Sequence, residues 1–336
     1  MDLPSRIILA VAVNAAGLAR AAIIAALTCS LSPNAAAQEF SALAGAMRSN
    51  DPTGTSYAWL FSYSTDISEH FAASFTWQNE GHIPDHHRDG HSVQLWAQTR
   101  LFSPQFKLSA GVGPYRYYDT TSANSGGSYD DDHGWGVLYS VMANWYSSSS
   151  PWFYQLRLNH VETRSVDTSE VLFGMGYRLK QDGESIYSGS AAAGAAKRDE
   201  VTVFLGQTIV NSFESETSTA RSLEYRHAFG PVFKGSVAWM NEGDARLIRR
   251  NGIVTQAWLE PSFSGDLFTL GIGLGLYIAV DSYHENDHGA FASGILTMTT
   301  TYRFGPNWIG RFSWNRIMTN YDRDTDILLF GAGYRF

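Results

Sequence analysis

Acidic, amide and histidine side chains occupy positions from which they could transfer protons. Glu80, Asp119 and His133 fall in three separate polar segments, and Asn79 and Asn159 would lie nearby if those segments converge. A carboxylate can orient a histidine while a second carboxylate assists the proton transfer. The sequence therefore predicts a candidate catalytic set of Glu80, Asp119 and His133. No G-x-S-x-G nucleophile motif accompanies it.

All five of these residues have a counterpart in a second copy of the same pattern. The stretch SFTWQNEGH begins at Ser74, and SVAWMNEGD begins at Ser236, 162 positions later. Near the end of each copy the offset shrinks to 155–157, where FGMGYRL (173–179) matches FGAGYRF (330–336). This is an internal duplication. The second copy supplies the candidate binding residues Asn241, Glu242, Asp281, His288 and Asn315.

The repeated Asn-Glu-Gly admits two interpretations. Asn and Gly are the residues that tight turns require, so the motif could simply shape two hairpins. Alternatively, Glu80 and Glu242 could be ligand-binding or catalytic carboxylates.

Period-two alternation predicts that both copies are built from strands. Phe71, Ala73, Phe75 and Trp77 share one face of a strand, and small or polar residues take the other. Such runs are about ten residues long, which is the length a tilted strand needs to cross a bilayer. The sequence therefore predicts an all-β fold, a transmembrane antiparallel β-barrel.

The duplication predicts eight strands per copy. We expect a signal peptide over 1–37, a first repeat over 38–179, a polar linker over 180–200 and a second repeat over 201–336. Two eight-stranded barrels would be filled by their own side chains, whereas one sixteen-stranded barrel would enclose a lumen. One sixteen-stranded barrel is favoured, because joining the two sheets edge to edge would remove both exposed edges.

The face predicted to line the lumen carries aromatic rings beside amide groups. Rings can stack on the apolar faces of sugars while amides bond the hydroxyls. A solvated lumen with aromatic residues at the membrane interfaces is the alternative. The candidate saccharide ligands on this face are Gln94, Trp96 and Asn159, with Gln256, Trp258 and Asn315 in the second copy.

Charge and composition limit the partners. The formal net charge is −8, which argues against a nucleic-acid partner. The one cysteine, Cys29, lies inside the predicted signal peptide. Expected partners are outer-membrane lipid, lipopolysaccharide, the barrel-assembly machinery and a saccharide or polysaccharide.

No cofactor or metal is expected. His284 to His288 spells H-E-x-x-H, but that motif binds zinc on a helix, and here it falls between predicted strands. The cluster His82, His86, His87 and His91 is interpreted as solvated imidazoles of one loop.

Two resemblances bear on location and activity. The aromatic final strand ending GAGYRF resembles the closing strand of bacterial outer-membrane barrels, which implies that the Asn-Glu-Gly hairpins face the cell exterior. Residues 156–179 resemble the end of outer-membrane lipid A 3-O-deacylases, whose penultimate strand carries His-x-Ser. His160 matches that His, but Glu162 stands at the Ser position, and Arg316 replaces the His in the second copy.

Two functions follow as hypotheses. The first is an outer-membrane pore or binding channel for saccharides or surface polysaccharide. The second is an enzyme at the extracellular rim that acts on lipopolysaccharide, lipid A or exported glycan.

Overall fold

The computed structural model describes residues 37–122, 129–180, 197–263, 266–283 and 290–336. The predicted signal peptide, except for residue 37, and residues 181–196 of the predicted linker lie outside them, as does H-E-x-x-H. The first half contains the strands β1 (Gln38–Asn50), β2 (Thr53–Asp66), β3 (Phe71–Ile83), β4 (His86–Arg100), β5 (Phe106–Thr121), β6 (Asp130–Tyr146), β7 (Trp152–Glu162) and β8 (Thr168–Lys180).

The second half repeats this series with one interruption. A break at residues 260–261 separates a two-residue strand from the strand before it. The second half therefore has nine strands, two of which together take the place of one strand of the first half. These are β9 (Asp199–Val210), β10 (Thr217–Ala228), β11 (Phe233–Asn241), β12 (Arg250–Leu259), β13 (Ser262–Phe263), β14 (Phe268–Asp281), β15 (Phe291–Arg303), β16 (Trp308–Met318) and β17 (Thr325–Arg335).

Each half closes on itself as an antiparallel barrel. In the first half β1 pairs with β8 from Gln38 opposite Lys180 to Ser49 opposite Thr168. In the second half β9 pairs with β17, and β12 pairs with β14. The predicted all-β antiparallel barrel architecture is confirmed.

The prediction of one sixteen-stranded barrel is wrong. β1 and β8 are each 13 residues long, so they satisfy each other's free edge groups along nearly their whole length. Closure within a repeat removes every exposed edge, as the proposed fusion of the two sheets would have done. Each sheet closes by pairing strands of its own repeat, so no sixteen-stranded lumen forms.

Hydrogen bonds across the first barrel show which side chains face inward. Arg157 on β7 donates to the Gln94 side chain on β4, and Asn159 on β7 donates to Gln78 on β3 at 3.0 Å. These strands are not neighbours in the sheet, so the bonds must pass through the interior. Trp96 is 1 % exposed and lies beneath Arg157, whose guanidinium is 4.9 Å from the ring centroid. The interior is packed with polar and aromatic side chains.

The outward faces are apolar, so the barrels are inside-out compared with a soluble protein. Val203, Leu205 and Phe330 all point away from the second barrel, and Phe330 is 67 % exposed. Exposed aromatic side chains gather at the strand ends of both barrels, as they do at membrane interfaces. They include Trp145, Trp152, Tyr154 and Tyr177 on the first barrel and Phe229, Phe268, Tyr302 and Trp308 on the second. Among the described residues no helix is long and apolar enough to cross a membrane.

The two barrels touch along one side. Trp77 on the first barrel packs against Trp314 on the second, with 3.8 Å between ring centroids. Arg316 of the second barrel forms ion pairs with Asp89 of the first barrel and with Asp326 of its own sheet. These five residues define the inter-barrel seam. We call the end at which β3 passes into β4 and β7 into β8, together with the corresponding end of the second barrel, the outer rim.

Candidate functional site

The repeated Asn-Glu-Gly motif bends the backbone in both barrels. The Asn79 Oδ1 atom accepts the Gly81 amide at 3.0 Å, and Asn241 and Gly243 repeat this bond at 3.0 Å. Gly81 and Gly243 have φ of 69° and 75°, a conformation that favours glycine. The β3–β4 register shifts between Asn79 and His82. Asn and Gly therefore shape the backbone, but in the first barrel they do so at a bulge inside β3, and the hairpin turn lies beyond Ile83.

The glutamate of the motif is buried and fully engaged. Glu80 accepts hydrogen bonds from Arg88 Nη2, Tyr115 OH and Thr168 Oγ1, each at 2.5 Å. In the second barrel Arg250 Nη2 donates to Glu242 at 2.9 Å, and Thr325 Oγ1 donates to the same carboxylate at 2.8 Å. The duplication has thus kept a buried ion pair.

A small cavity opens beside this ion pair at the outer rim of the first barrel. It is lined by Met47, Glu80, Gly81, Ile83, His86, Arg88, Asp119, Val166 and Thr168. Two of the predicted catalytic residues, Glu80 and Asp119, meet here. We call it the rim cavity.

The histidine beside Asp119 is His86 and not His133. His86 Nδ1 lies 2.7 Å from Asp119 Oδ2, and the carboxylate side chain is fully buried. The other oxygen, Asp119 Oδ1, is buried and has no hydrogen-bond partner within the described residues. The rim cavity therefore holds a carboxylate–imidazole pair with one free carboxylate oxygen.

His133 does not join the predicted set. It points out of the first barrel, and its Nε2 lies 2.6 Å from Asp324 Oδ2 on the second barrel. Its neighbour Asp131 accepts the Asp324 amide at 3.1 Å and donates its own amide to Asp322 at 3.1 Å. These contacts extend the connection between the barrels at the outer rim. Nearby, burial raises the pKa of Tyr129 to about 12.

The predicted saccharide ligands lie inside the barrels. Gln94 Nε2 donates to Ser140 Oγ at 3.0 Å, and Ser140 Oγ donates to Asn159 Oδ1 at 2.6 Å. The second barrel repeats the chain from Gln256 through Thr297 to Asn315, at 2.8 and 2.9 Å. Trp96 and Trp258 each donate their indole N–H to a serine of the adjacent strand, at 2.8 Å. Their roles as ligands stay predictions, since each of these side chains is buried and bonded.

In the second barrel the carboxylate that corresponds to Asp119 has both of its oxygens bonded. Asp281, the copy of Asp119, accepts the Arg249 and Tyr283 amides on Oδ1 and the Tyr321 hydroxyl on Oδ2. Burial raises the pKa of Tyr321, so its hydroxyl stays protonated and can donate. Ile248, fully buried, stands where His86 stands in the first copy. The predicted ligand His288 lies outside the described residues.

The histidine cluster is divided among three environments. His86 faces the rim cavity, whereas His82 and His87 stack on each other with centroids 3.8 Å apart. His91 is buried at the seam, 4.6 Å from Trp77. In the described ranges, no three His, Cys, Asp or Glu side chains are grouped to hold a metal ion.

An inside-out, closed antiparallel barrel with apolar walls is the architecture of the bacterial outer membrane, and the chain is an integral outer-membrane protein with two such barrels. No family model matches the chain, and no curated protein matches it.

Small outer-membrane barrels are among the solved structures with similarity to the chain. The N-terminal barrel of Pseudomonas aeruginosa OprF shares 10 % identity, with a TM-score of 0.35, 43 % of this chain covered and 98 % of that one. Neisserial surface protein A shares 16 %, with a TM-score of 0.33 and 42 % and 96 % covered. Ail of Yersinia pestis shares 11 %, with a TM-score of 0.34 and 44 % and 99 % covered. The assignment to the outer-membrane barrels rests on the topology and burial of this chain.

Proposed function

We propose that the protein binds a saccharide or lipopolysaccharide component of the cell surface at the outer rim of its first barrel. The observation that carries the proposal is the rim cavity, where buried Asp119 keeps one oxygen unpartnered among the described residues and lies 2.7 Å from His86. Buried polar atoms in proteins are almost always hydrogen-bonded, so an unpartnered one marks a place for a ligand or water.

The packed interiors favour rim binding over transport through a lumen. Eight strands enclose a space that side chains can fill, and here Leu60, Trp96, Leu138 and Arg157 do so. The outer rim is the end that the C-terminal resemblance predicts to be extracellular. A ligand would therefore reach the rim cavity from the cell surface.

Binding of purified lipopolysaccharide and surface polysaccharide to folded protein on a sensor surface tests the proposal. Asp119→Asn should weaken binding about tenfold, because a charged hydrogen bond is lost. Asp244→Asn, an exposed carboxylate at the rim of the second barrel, should leave binding unchanged. Absence of binding by the unaltered protein would reject the proposal.

One observation favours a second candidate, a hydrolase acting on lipid A from the membrane side. His160 Nδ1 lies 3.1 Å from Ser169 Oγ on the outward face of β7 and β8, which pairs a hydroxyl nucleophile with a base. The second barrel has Arg316 and Asp326 at these positions. A hydrolase would change the mass profile of lipid A in cells making the unaltered protein but not the Ser169→Ala variant. Ser148→Ala, at an exposed turn on the opposite end, is the control.

A further inference from the structure

The rim cavity presents hydrogen-bond acceptors that the barrel itself leaves free. Asp119 is 2 % exposed, and its Oδ1 has no partner in the described part of the chain. When the neutral His86 ring donates its Nδ1 proton to Asp119 Oδ2, its Nε2 atom is left as an acceptor. The cavity is therefore suited to a group that donates hydrogen bonds.

The charges around the cavity favour a cation. Arg88 is the guanidinium that lines it, and Glu80 neutralises that charge through two bonds of 2.5 and 3.1 Å. Arg88 also donates to the Val166 carbonyl at 2.7 Å. With Arg88 and Glu80 paired, the charge of the cavity depends on Asp119 and His86. The hydrogen bond to Asp119 raises the pKa of His86, so the pair is net negative above that pKa, and a bound cation favours the neutral ring.

Space limits the size of the group. The enclosed part of the cavity has room for about one water-sized group before it opens to the rim. Met47, Ile83 and Val166 form its apolar wall. A whole sugar ring does not fit there, but an ammonium group on a larger molecule does.

Comparison with the second barrel shows that the fold does not require a cavity beside the carboxylate. Ile248 fills the place of His86 and packs with Val210 and Ala245. Asp281 has both of its oxygens bonded. The two copies thus differ at this position, with an imidazole in the first and a buried apolar side chain in the second.

We propose that the rim cavity of the first barrel binds a primary ammonium group carried by an outer-leaflet molecule, with Asp119 and His86 as its acceptors. This inference rests on the proposed function and names the chemical group recognised. Amino sugars and ethanolamine phosphate headgroups share that group, and experiment separates the two sources.

The test uses the folded full chain with ¹⁵N-labelled histidine in detergent. Glucosamine, N-acetylglucosamine, ethanolamine phosphate and glucose are titrated separately while the His86 resonances are followed. A His86→Ile variant, which loses its signals, assigns them. Glucosamine or ethanolamine phosphate should shift these signals at concentrations at least tenfold lower than N-acetylglucosamine or glucose. Whichever of the two amines binds more tightly identifies the source.

Asp119→Asn should abolish this preference for the amine, and Asp244→Asn should keep it. If Asp119→Asn does not fold, His86→Ile replaces it, and direct binding of the amines to the immobilised variant is the readout, with loss of the preference expected. Equal responses to glucosamine and N-acetylglucosamine, with lipopolysaccharide still bound, would show that the cavity holds an ordered water only and overturn the inference alone. An Asp119-dependent amine response without lipopolysaccharide binding would support the inference and reject the proposed function.

Discussion

Trp77 of the first barrel and Trp314 of the second pack against each other across the inter-barrel seam, with 3.8 Å between centroids and 34° between ring planes. Both side chains point away from their own barrel interiors, so each covers apolar surface that would otherwise contact lipid. Their copies do not repeat the contact, because Trp239 and Leu158 are exposed. The duplication has diverged where the two halves meet.

We predict an exciton couplet from this pair in the far-ultraviolet circular dichroism spectrum, since the strong transitions of two close, tilted indoles couple. Trp314→Phe should remove the couplet without unfolding either barrel. Trp308→Phe, at the exposed opposite end of the same strand, should leave it intact. A couplet that survives Trp314→Phe would contradict the seam.

The ion pairs of the seam should contribute to stability. Arg316→Ala leaves Asp89 and Asp326 facing each other without their cation. Breaking one side of a buried ion pair costs about 3–5 kcal/mol, so we expect a loss near 3 kcal/mol in the free energy of unfolding by urea. Adding Asp89→Asn should recover part of it.

Arg303→Ala is the matched control for that measurement. Arg303 pairs with Asp266 at 3.5 Å, and both side chains are about one quarter exposed. An ion pair of this kind contributes roughly 0–1 kcal/mol. Equal losses for Arg316→Ala and Arg303→Ala would show that the seam is not a stabilising contact.

The two motif glutamates should matter about equally for stability. In the structure each glutamate binds one arginine and one threonine, and these partners occupy corresponding positions in the two barrels. Each substitution should destabilise its own barrel by about 3 kcal/mol, measured by urea titration of heat-modifiable mobility. A Glu80→Gln protein that unfolds like the unaltered one would refute the ion-pair role.

The rim cavity should close when the first copy is given the residue of the second. His86→Ile places the side chain found at Ile248 into the cavity and removes the imidazole acceptor. We expect lipopolysaccharide binding to fall about tenfold or more. The unfolding midpoint should fall as well, because the buried Asp119 carboxylate loses its His86 partner. Retained binding by a folded His86→Ile protein would place the ligand elsewhere.

Strand number and inward faces were accessible from the sequence because alternation and duplication record them directly. The same parity could have identified His86, which is an even number of positions from Gln94 and Trp96 on β4. Assigning the four histidines to one loop missed it, because β4 begins at His86 and includes three of them.

Closure and the seam were beyond sequence reasoning for a physical reason. Backbone groups at a strand edge pair with any other edge, so nothing in β1 distinguishes β8 from a strand of the second repeat. Likewise, Trp77 and Trp239 share a motif, yet one meets a second barrel and the other is exposed. Only the packing of the halves separates them.

The most direct measurement is the conductance of the folded full chain in planar bilayers. Each repeat closes around an interior filled by side chains such as Trp96 and Arg157, so we predict no conductance above that of the bare bilayer when heat-modifiable mobility shows that the protein is folded. Reproducible, stable conductance steps from folded protein would contradict two filled barrels and restore the interpretation of the protein as a channel.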